Sequence, residues 1–254
     1  MTPSQRFNAP APPGELNPFD GVLLVDKPAG PTSHDVVARI RHGFRIKKVG
    51  HGGTLDPQAT GLLVILLGRG TKLSNSFLSS DKTYEGTLHL GVETDSYDAA
   101  GEVLREADWS GVSEQALRAA MQDLTGDQMQ TPPMVSAVKV NGVPLYKHAR
   151  KGREVAREPR LIRVYEFSLT AFDPPRADFL VRCTKGTYVR SLCADVGGAL
   201  GCGAHLERLV RTQCGDLKLA EASPLADILE WDPDTLAQHV LPMRQFSTPG
   251  RHLL

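Results

Sequence analysis

A chain of 254 residues is long enough to bury a substantial core, as one large domain or two modest ones. Hydrophobic residues at 41% and charged residues at 23% match ordinary globular proteins and exclude a chain disordered throughout. Lys plus Arg and Asp plus Glu both total 29, so net charge gives no direct sign of a nucleic-acid partner.

Residues 1–18 are rich in Pro, Ala and polar residues and lack the apolar run of a signal peptide, so a flexible tail is expected there. Residues 21–25 read as a strand, closed by the turn-rich Asp26-Lys27-Pro28-Ala29-Gly30-Pro31. Thr32 or Ser33 can then cap a helix with Val36, Val37, Ile40 and Phe44 on one stripe and Arg39, Arg41 and Arg45 largely off it. Next comes Gly50-His51-Gly52-Gly53-Thr54-Leu55-Asp56-Pro57, which sets one histidine and one carboxylate on a glycine-rich loop. The apolar run of residues 62–67 follows, bounded by Gly61 and Gly68, and reads as a buried strand. Asp56 has two readings at this point: a turn residue in an Asp-Pro pair, or a functional carboxylate held beside a rigid strand.

Residues 84–90 alternate at a strand period, with Tyr84, Gly86, Leu88 and Leu90 on one face. Ser113 caps a predicted helix bearing Ala116, Leu117, Ala120, Met121 and Leu124, ended by Gly126. Residues 127–160 show little apolar periodicity and read as a long surface insertion. Strands are expected over 162–171 and 178–183, then a helix carrying Leu192, Val196 and Leu200 and stopped by Gly201. Short helices with Pro224 and Pro233 near their first positions finish the chain. Strands and helices mingle without a βαβ rhythm, which predicts an α+β fold.

Charge is segregated along the chain. Arg39, Arg41, Arg45, Lys47 and Lys48 form one basic cluster, and Lys147, Arg150, Lys151, Arg153, Arg157, Arg160 and Arg163 form a second. Two such clusters suit a basic face for a polyanion, although solvated helix faces give the same pattern. The four cysteines lack Cys-x-x-Cys spacing and suggest reduced thiols in a cytoplasmic protein. No segment approaches the length of a membrane span.

Several chemistries fail on spacing. His51, Asp56, Asp95 and Asp98 lack the arrangement of a zinc helix or a calcium loop, so no metal site is expected. Gly68-Arg69-Gly70-Thr71-Lys72 is out of register for a phosphate-binding P-loop, and no Gly-x-Ser-x-Gly elbow is present. What survives is a carboxylate, a histidine, a tyrosine and arginines beside basic segments, a set suited to gripping RNA. Spacing alone does not select the reaction.

Seven ordered blocks carry a resemblance. They are Asp26-Lys27-Pro28-x-Gly30-x-Thr32-Ser33; residues 50–63 from Gly50 through Leu63; Lys82-Thr83-Tyr84; and Gly91-x-x-Thr94-Asp95-Ser96-x-Asp98-x-x-Gly101. Pro132-Pro133-x-x-Ser136-Ala137-x-Lys139, Lys185-Gly186-Thr187-Tyr188-Val189-Arg190 and Leu209-Val210-Arg211-Thr212-x-x-Gly215 complete the set. With these the chain resembles the TruB family of tRNA pseudouridine synthases from about Gly21 to about Leu229. The implied fold is an extended, mostly antiparallel sheet flanked by helices. Its implied catalytic domain spans residues 19–231, with a thumb insertion over 127–160 and a short extension over 232–254, too short for the PUA domain many bacterial members carry.

The resemblance implies isomerisation of uridine 55 in the tRNA T loop, without cofactor or metal, by a monomer needing no protein partner. It makes Asp56 the nucleophile on a flipped-out uridine, Tyr84 the residue that stacks on the base, and Arg190 the cation paired with Asp56. His51 is implied to fill the space left by the base, while Lys72, Lys139 and Tyr188 are implied as RNA or pocket contacts. An RNA-folding chaperone indifferent to Asp56, and a catalytic subunit dependent on a guide RNA, are the alternatives.

Overall fold

The computed structural model describes residues 17–136, 138–140, 142–145 and 155–246. The chain divides into two compact units, Met1–Lys82 with Val210–Leu254, and Thr83–Leu209.

In the first unit the run read as a buried strand is Thr60–Leu67. Leu62, Val64 and Leu66 share one cluster with Val22, Leu24, Phe77 and Cys214. Leu63, Ile65 and Leu67, which alternate with them, are also wholly buried. Covering on both faces explains why the sequence shows a continuous apolar run instead of alternation. This strand pairs antiparallel with Gly21–Lys27 and with Val49–His51, and parallel with Ala204–Cys214 through Val210↔Thr60 and Arg211↔Gly61. At that last register a Cβ on Gly61, whose φ is +94°, would come 2.5 Å from the Arg211 carbonyl oxygen. Only glycine tolerates both the dihedral and the approach.

Helix Ser33–Gly43 starts with a capping box: the Asp35 N–H donates to Thr32 Oγ1 at 3.0 Å, and the Thr32 N–H to Asp35 Oδ2 at 2.9 Å. Its predicted stripe of Val36, Val37 and Ile40 is buried, as is Phe44 just beyond it. Arg39, Arg45, Lys47 and Lys48 stay exposed.

The second unit is built on the antiparallel pair Arg160–Asp173 and Arg176–Cys183, with Gly126–Gln130 added alongside Arg160–Asp173. Helices Glu114–Asp123 and Val189–Leu200 contribute Leu117, Met121, Leu192 and Val196 to the core beneath these strands, against Ile162, Val164, Phe179 and Val181. Ser113 caps the first helix, and Gly201 closes the second in a left-handed conformation at φ 78°.

Both units mix sheet and helix, in agreement with the α+β expectation. Strands Val49–His51, Val92–Thr94 and Val103–Glu106 and helix Ser74–Ser79 were not expected from the sequence, and two longer segments also differ from the expectation. The stretch expected to be irregular from residue 127 begins inside the strand Gly126–Gln130, whose exposed Asp127 and Met129 hide any apolar period. Strand Ala204–Cys214 has no counterpart in the sequence reading, because Glu207, Arg208, Arg211 and Gln213 mask it. Of the second basic cluster, Lys147, Arg150, Lys151 and Arg153 lie outside the described residues, as do most of the expected tail and residues 247–254 of the extension.

Candidate active site

Asp56 stands half-buried on the loop between Val49–His51 and Thr60–Leu67. Each main-chain carbonyl from Gly53 to Pro57 has a donor. Arg211 Nη2 donates to Gly53 O and Arg211 Nη1 to Thr54 O, both at 3.2 Å. Ser33 Oγ donates to Leu55 O at 3.1 Å and accepts from the Leu55 N–H at 2.8 Å. The Ala59 N–H donates to Asp56 O at 3.1 Å, and Pro57 O accepts from the Gly30 N–H at 2.8 Å. Lys27 Nζ adds bonds to Pro57 O at 3.0 Å and Ala59 O at 2.7 Å. Bonding at each carbonyl from Gly53 to Pro57 fixes the main chain that carries the Asp56 side chain, a condition for a preorganised reactive group.

Two wholly buried cations carry much of this bracing: Lys27 is 0% exposed and Arg211 is 1% exposed. Burial lowers the Lys27 pKa from 10.5 to about 8, with Arg211 adding to the decrease and Asp56 opposing it. Below about pH 8 the ammonium has three N–H groups for its three acceptors, Pro28 O, Pro57 O and Ala59 O. Above it the neutral amine has two, and the positive charge near Asp56 is gone. Catalytic rate is therefore expected to fall as pH rises through about 8, with the limb moved upward in Lys27→Arg, whose guanidinium stays charged. A kcat–pH profile checks this; an identical limb in both proteins would contradict it.

His51 lies in the same unit, and its pKa is lowered by burial first, then by Arg211 and His34. It is therefore a neutral imidazole near pH 7, its Nδ1 facing the Gly53 N–H at 3.4 Å. That state suits stacking and hydrogen bonding to a base more than proton donation. Lys72 is exposed on the 3₁₀ turn Gly68–Leu73.

The remaining candidates belong to the second unit. Arg190, at the start of helix Val189–Leu200, is 3% exposed and donates from Nη1 to Ser96 O and from Nη2 to Val135 O, both at 2.8 Å. Its Nη1 also lies 3.4 Å from Asp98 Oδ2. Asp98 is held by a tight turn in which Ser96 Oγ and the Ala100 N–H both donate to its Oδ1. Tyr97 adopts φ 62° in this turn, and a Cβ on Gly101 would overlap the Ser96 hydroxyl. The block around Thr94 and Asp98 is thus a scaffold that presents a carboxylate to Arg190. Tyr188 is aligned by the Gln130 amide, which accepts from its N–H at 2.8 Å and donates to its carbonyl at 3.1 Å. Tyr84 packs partly buried against the core from strand Lys82–Leu90. Lys139 opens the two-residue strand Lys139–Val140.

The structure thus groups His51 and Asp56 with Lys27, Ser33 and Arg211 in one unit, and Arg190 with Asp98 in the other. Roles for Lys27, Ser33, Asp98 and Arg211 were not read from sequence. All four fall inside the seven blocks, which was the available signal. Among the described residues no group of three or more His, Cys, Asp or Glu could hold a metal ion, and no helix is long and apolar enough to cross a membrane.

Two family models match the chain: TruB family pseudouridylate synthase (N terminal domain) over residues 41–189, and tRNA pseudouridylate synthase B C-terminal domain over residues 190–246. The chain is 55% identical over 227 residues to a tRNA pseudouridine synthase B of Opitutus terrae, covering 89% of this chain and 94% of the relative. It is 46% identical over 238 residues to a tRNA pseudouridine synthase B of Geobacter sulfurreducens, covering 89% and 78%. Among solved structures it is similar to a chain of a Cbf5-Nop10-Gar1 complex, at 30% identity and a TM-score of 0.71, covering 90% of this chain and 61% of that one. A chain of an H/ACA RNP bound to a substrate RNA containing 2′-deoxyuridine matches at 25% identity and a TM-score of 0.68, covering 96% and 72%.

Proposed function

The chain belongs to the TruB family of pseudouridylate synthases, and from that membership we propose that it converts uridine 55 of the tRNA T loop to pseudouridine, with Asp56 as nucleophile. The observation that carries the reading is the Asp56 loop, whose carbonyls are bonded from Gly53 to Pro57 and which presents Asp56 half-buried. The target uridine is flipped out of the T loop at a cost of about a few kcal/mol, and His51 occupies the vacated space. Asp56 forms a transient bond to C1′ of the sugar or C6 of the base. The N-glycosidic bond breaks, the base rotates, and a C5–C1′ bond replaces the old link. Tyr84 stacks on the base and is the candidate for removing the C5 proton. Arg190 is the cation assigned to aim Asp56. Lys72, Lys139 and Tyr188 contact the RNA.

In this reading one catalytic domain spans residues 19–231, and the thumb expected over 127–160 starts after the strand Gly126–Gln130, with residues 146–154 outside the described residues. The enzyme works as a monomer in the cytoplasm without cofactor. Relatives named tRNA pseudouridine synthase B, at 46% and 55% identity, support action on tRNA.

Incubation with a full tRNA transcript is expected to yield pseudouridine at position 55 and nowhere else. A transcript with cytidine at 55 is expected to yield none. Mapping by pseudouridine-specific chemical modification and primer extension checks this. Modification at another position would contradict the site, and a requirement for added guide RNA would contradict the stand-alone reading.

A further inference from the structure

We propose that Arg211 is a positioning residue for the reaction, fixing the chain on the N-terminal side of Asp56 so that its carboxylate meets the uridine in one orientation. The inference rests on Asp56 being the nucleophile. Arg211 is 1% exposed, and its guanidinium donates from Nε to Leu62 O at 2.7 Å and from Nη1 and Nη2 to Thr54 O and Gly53 O at 3.2 Å. One rigid fork thus links the buried strand Thr60–Leu67 to the two residues that lead into Leu55 and Asp56. The base of that fork is itself fixed, because Arg211 is in register with Gly61 at the start of the same strand.

The choice of residue is informative. A buried cation carries a desolvation cost that its hydrogen bonds must offset, so apolar side chains of similar volume often serve stability as well as buried ionic groups do. A guanidinium does provide what an apolar side chain cannot, several directed donors in a planar fork. Lys27 performs the matching task on the other side, holding Pro57 O and Ala59 O. Asp56 therefore sits between two cationic clamps, each gripping backbone. The Arg211 charge reaches further, since it helps lower the pKa values of both Lys27 and His51.

The test compares Arg211→Met, Arg211→Lys and Ile228→Ala under single-turnover conditions with a T stem-loop. Ile228 is 0% exposed in the same unit and is not among the residues bonded to the carbonyls of residues 53–57, so its truncation serves as the control for lost stability. Misplacing a reacting group by about 1 Å can cost about 10²-fold in rate, and that is the loss expected for Arg211→Met at saturating RNA. Arg211→Lys, which keeps a donor but not the fork, is expected to fall between it and the wild type. RNA affinity is expected to change by less than about threefold in both, because phosphate contacts dominate it. Ile228→Ala is expected to melt lower than wild type while keeping its rate at temperatures where it is folded.

A rate loss no greater than that of Ile228→Ala at matched melting temperature would overturn the proposal. So would a loss confined to KM, or failure of both Arg211 variants to fold, which would make the residue structural. Asp56→Asn is measured beside them. An active Asp56→Asn sinks the nucleophile reading itself, whereas an inactive Asp56→Asn with active Arg211 variants sinks only the positioning role.

Discussion

Replacing Asp56 by Asn is expected to lower pseudouridine formation by at least about 10⁴-fold, the scale on which removal of a catalytic nucleophile acts in other enzymes. The substitution keeps the volume of the side chain and exchanges an anionic oxygen for a neutral amide. An amide cannot form the transient bond that divides the glycosyl transfer into two easier steps. The loop itself is expected to survive the change, because its bonds from Arg211, Ser33 and Lys27 all involve main-chain atoms. Affinity for the T stem-loop is expected to stay within about threefold of wild type, as it comes from phosphate contacts spread over basic surfaces. Rate and filter binding measured on the same preparation separate the two effects. Parallel loss of both would mean that Asp56 supports the fold or the RNA and not the chemistry.

Arg190→Met is expected to damage stability and activity together. The guanidinium is 3% exposed, beside an Asp98 whose side chain is 19% exposed, and it also satisfies Ser96 O and Val135 O. Removing one partner of a buried pair strands the other, typically at a cost of about 3–5 kcal/mol. For a chain of this size each kcal/mol corresponds to about 2–4 °C, so the melting temperature is expected to fall by about 6–20 °C. At temperatures where the variant remains folded, the rate is expected to drop by at least about 10²-fold, through loss of the cation proposed to aim Asp56. An unchanged melting temperature would show that the Asp98 contact contributes nothing. A normal rate in the folded variant would remove Arg190 from the catalytic set.

Much of the scaffold was legible because it follows ordinary periodicities. Glycines at 61 and 68 bound the apolar run 62–67 of strand Thr60–Leu67, and a Thr32 or Ser33 cap with its apolar stripe marks helix Ser33–Gly43. Strand Ala204–Cys214 was not legible, since its charged residues break the apolar alternation that a half-buried strand normally displays. Arg211 shows why: it points inward against the polar-out rule, and the carbonyls that make this possible belong to Gly53, Thr54 and Leu62, far away in the chain.

The site divides in the same way. The loop of Asp56 announced itself through glycines and an Asp-Pro pair, yet those left a turn and a reactive carboxylate equally open. Its chemistry was available only through the seven-block resemblance. The clamps around it and the Asp98 partner of Arg190 are tertiary contacts with no local signature, and only coordinates reveal them.

The most direct test is single-turnover conversion of an isolated T stem-loop by excess purified protein, with no guide RNA or second protein added. Wild type is expected to convert the RNA nearly completely, while Asp56→Asn at equal RNA occupancy gives no detectable pseudouridine. No product with wild type, or equal product from the two proteins, would contradict the assignment of Asp56 as the nucleophile of a stand-alone tRNA pseudouridine synthase.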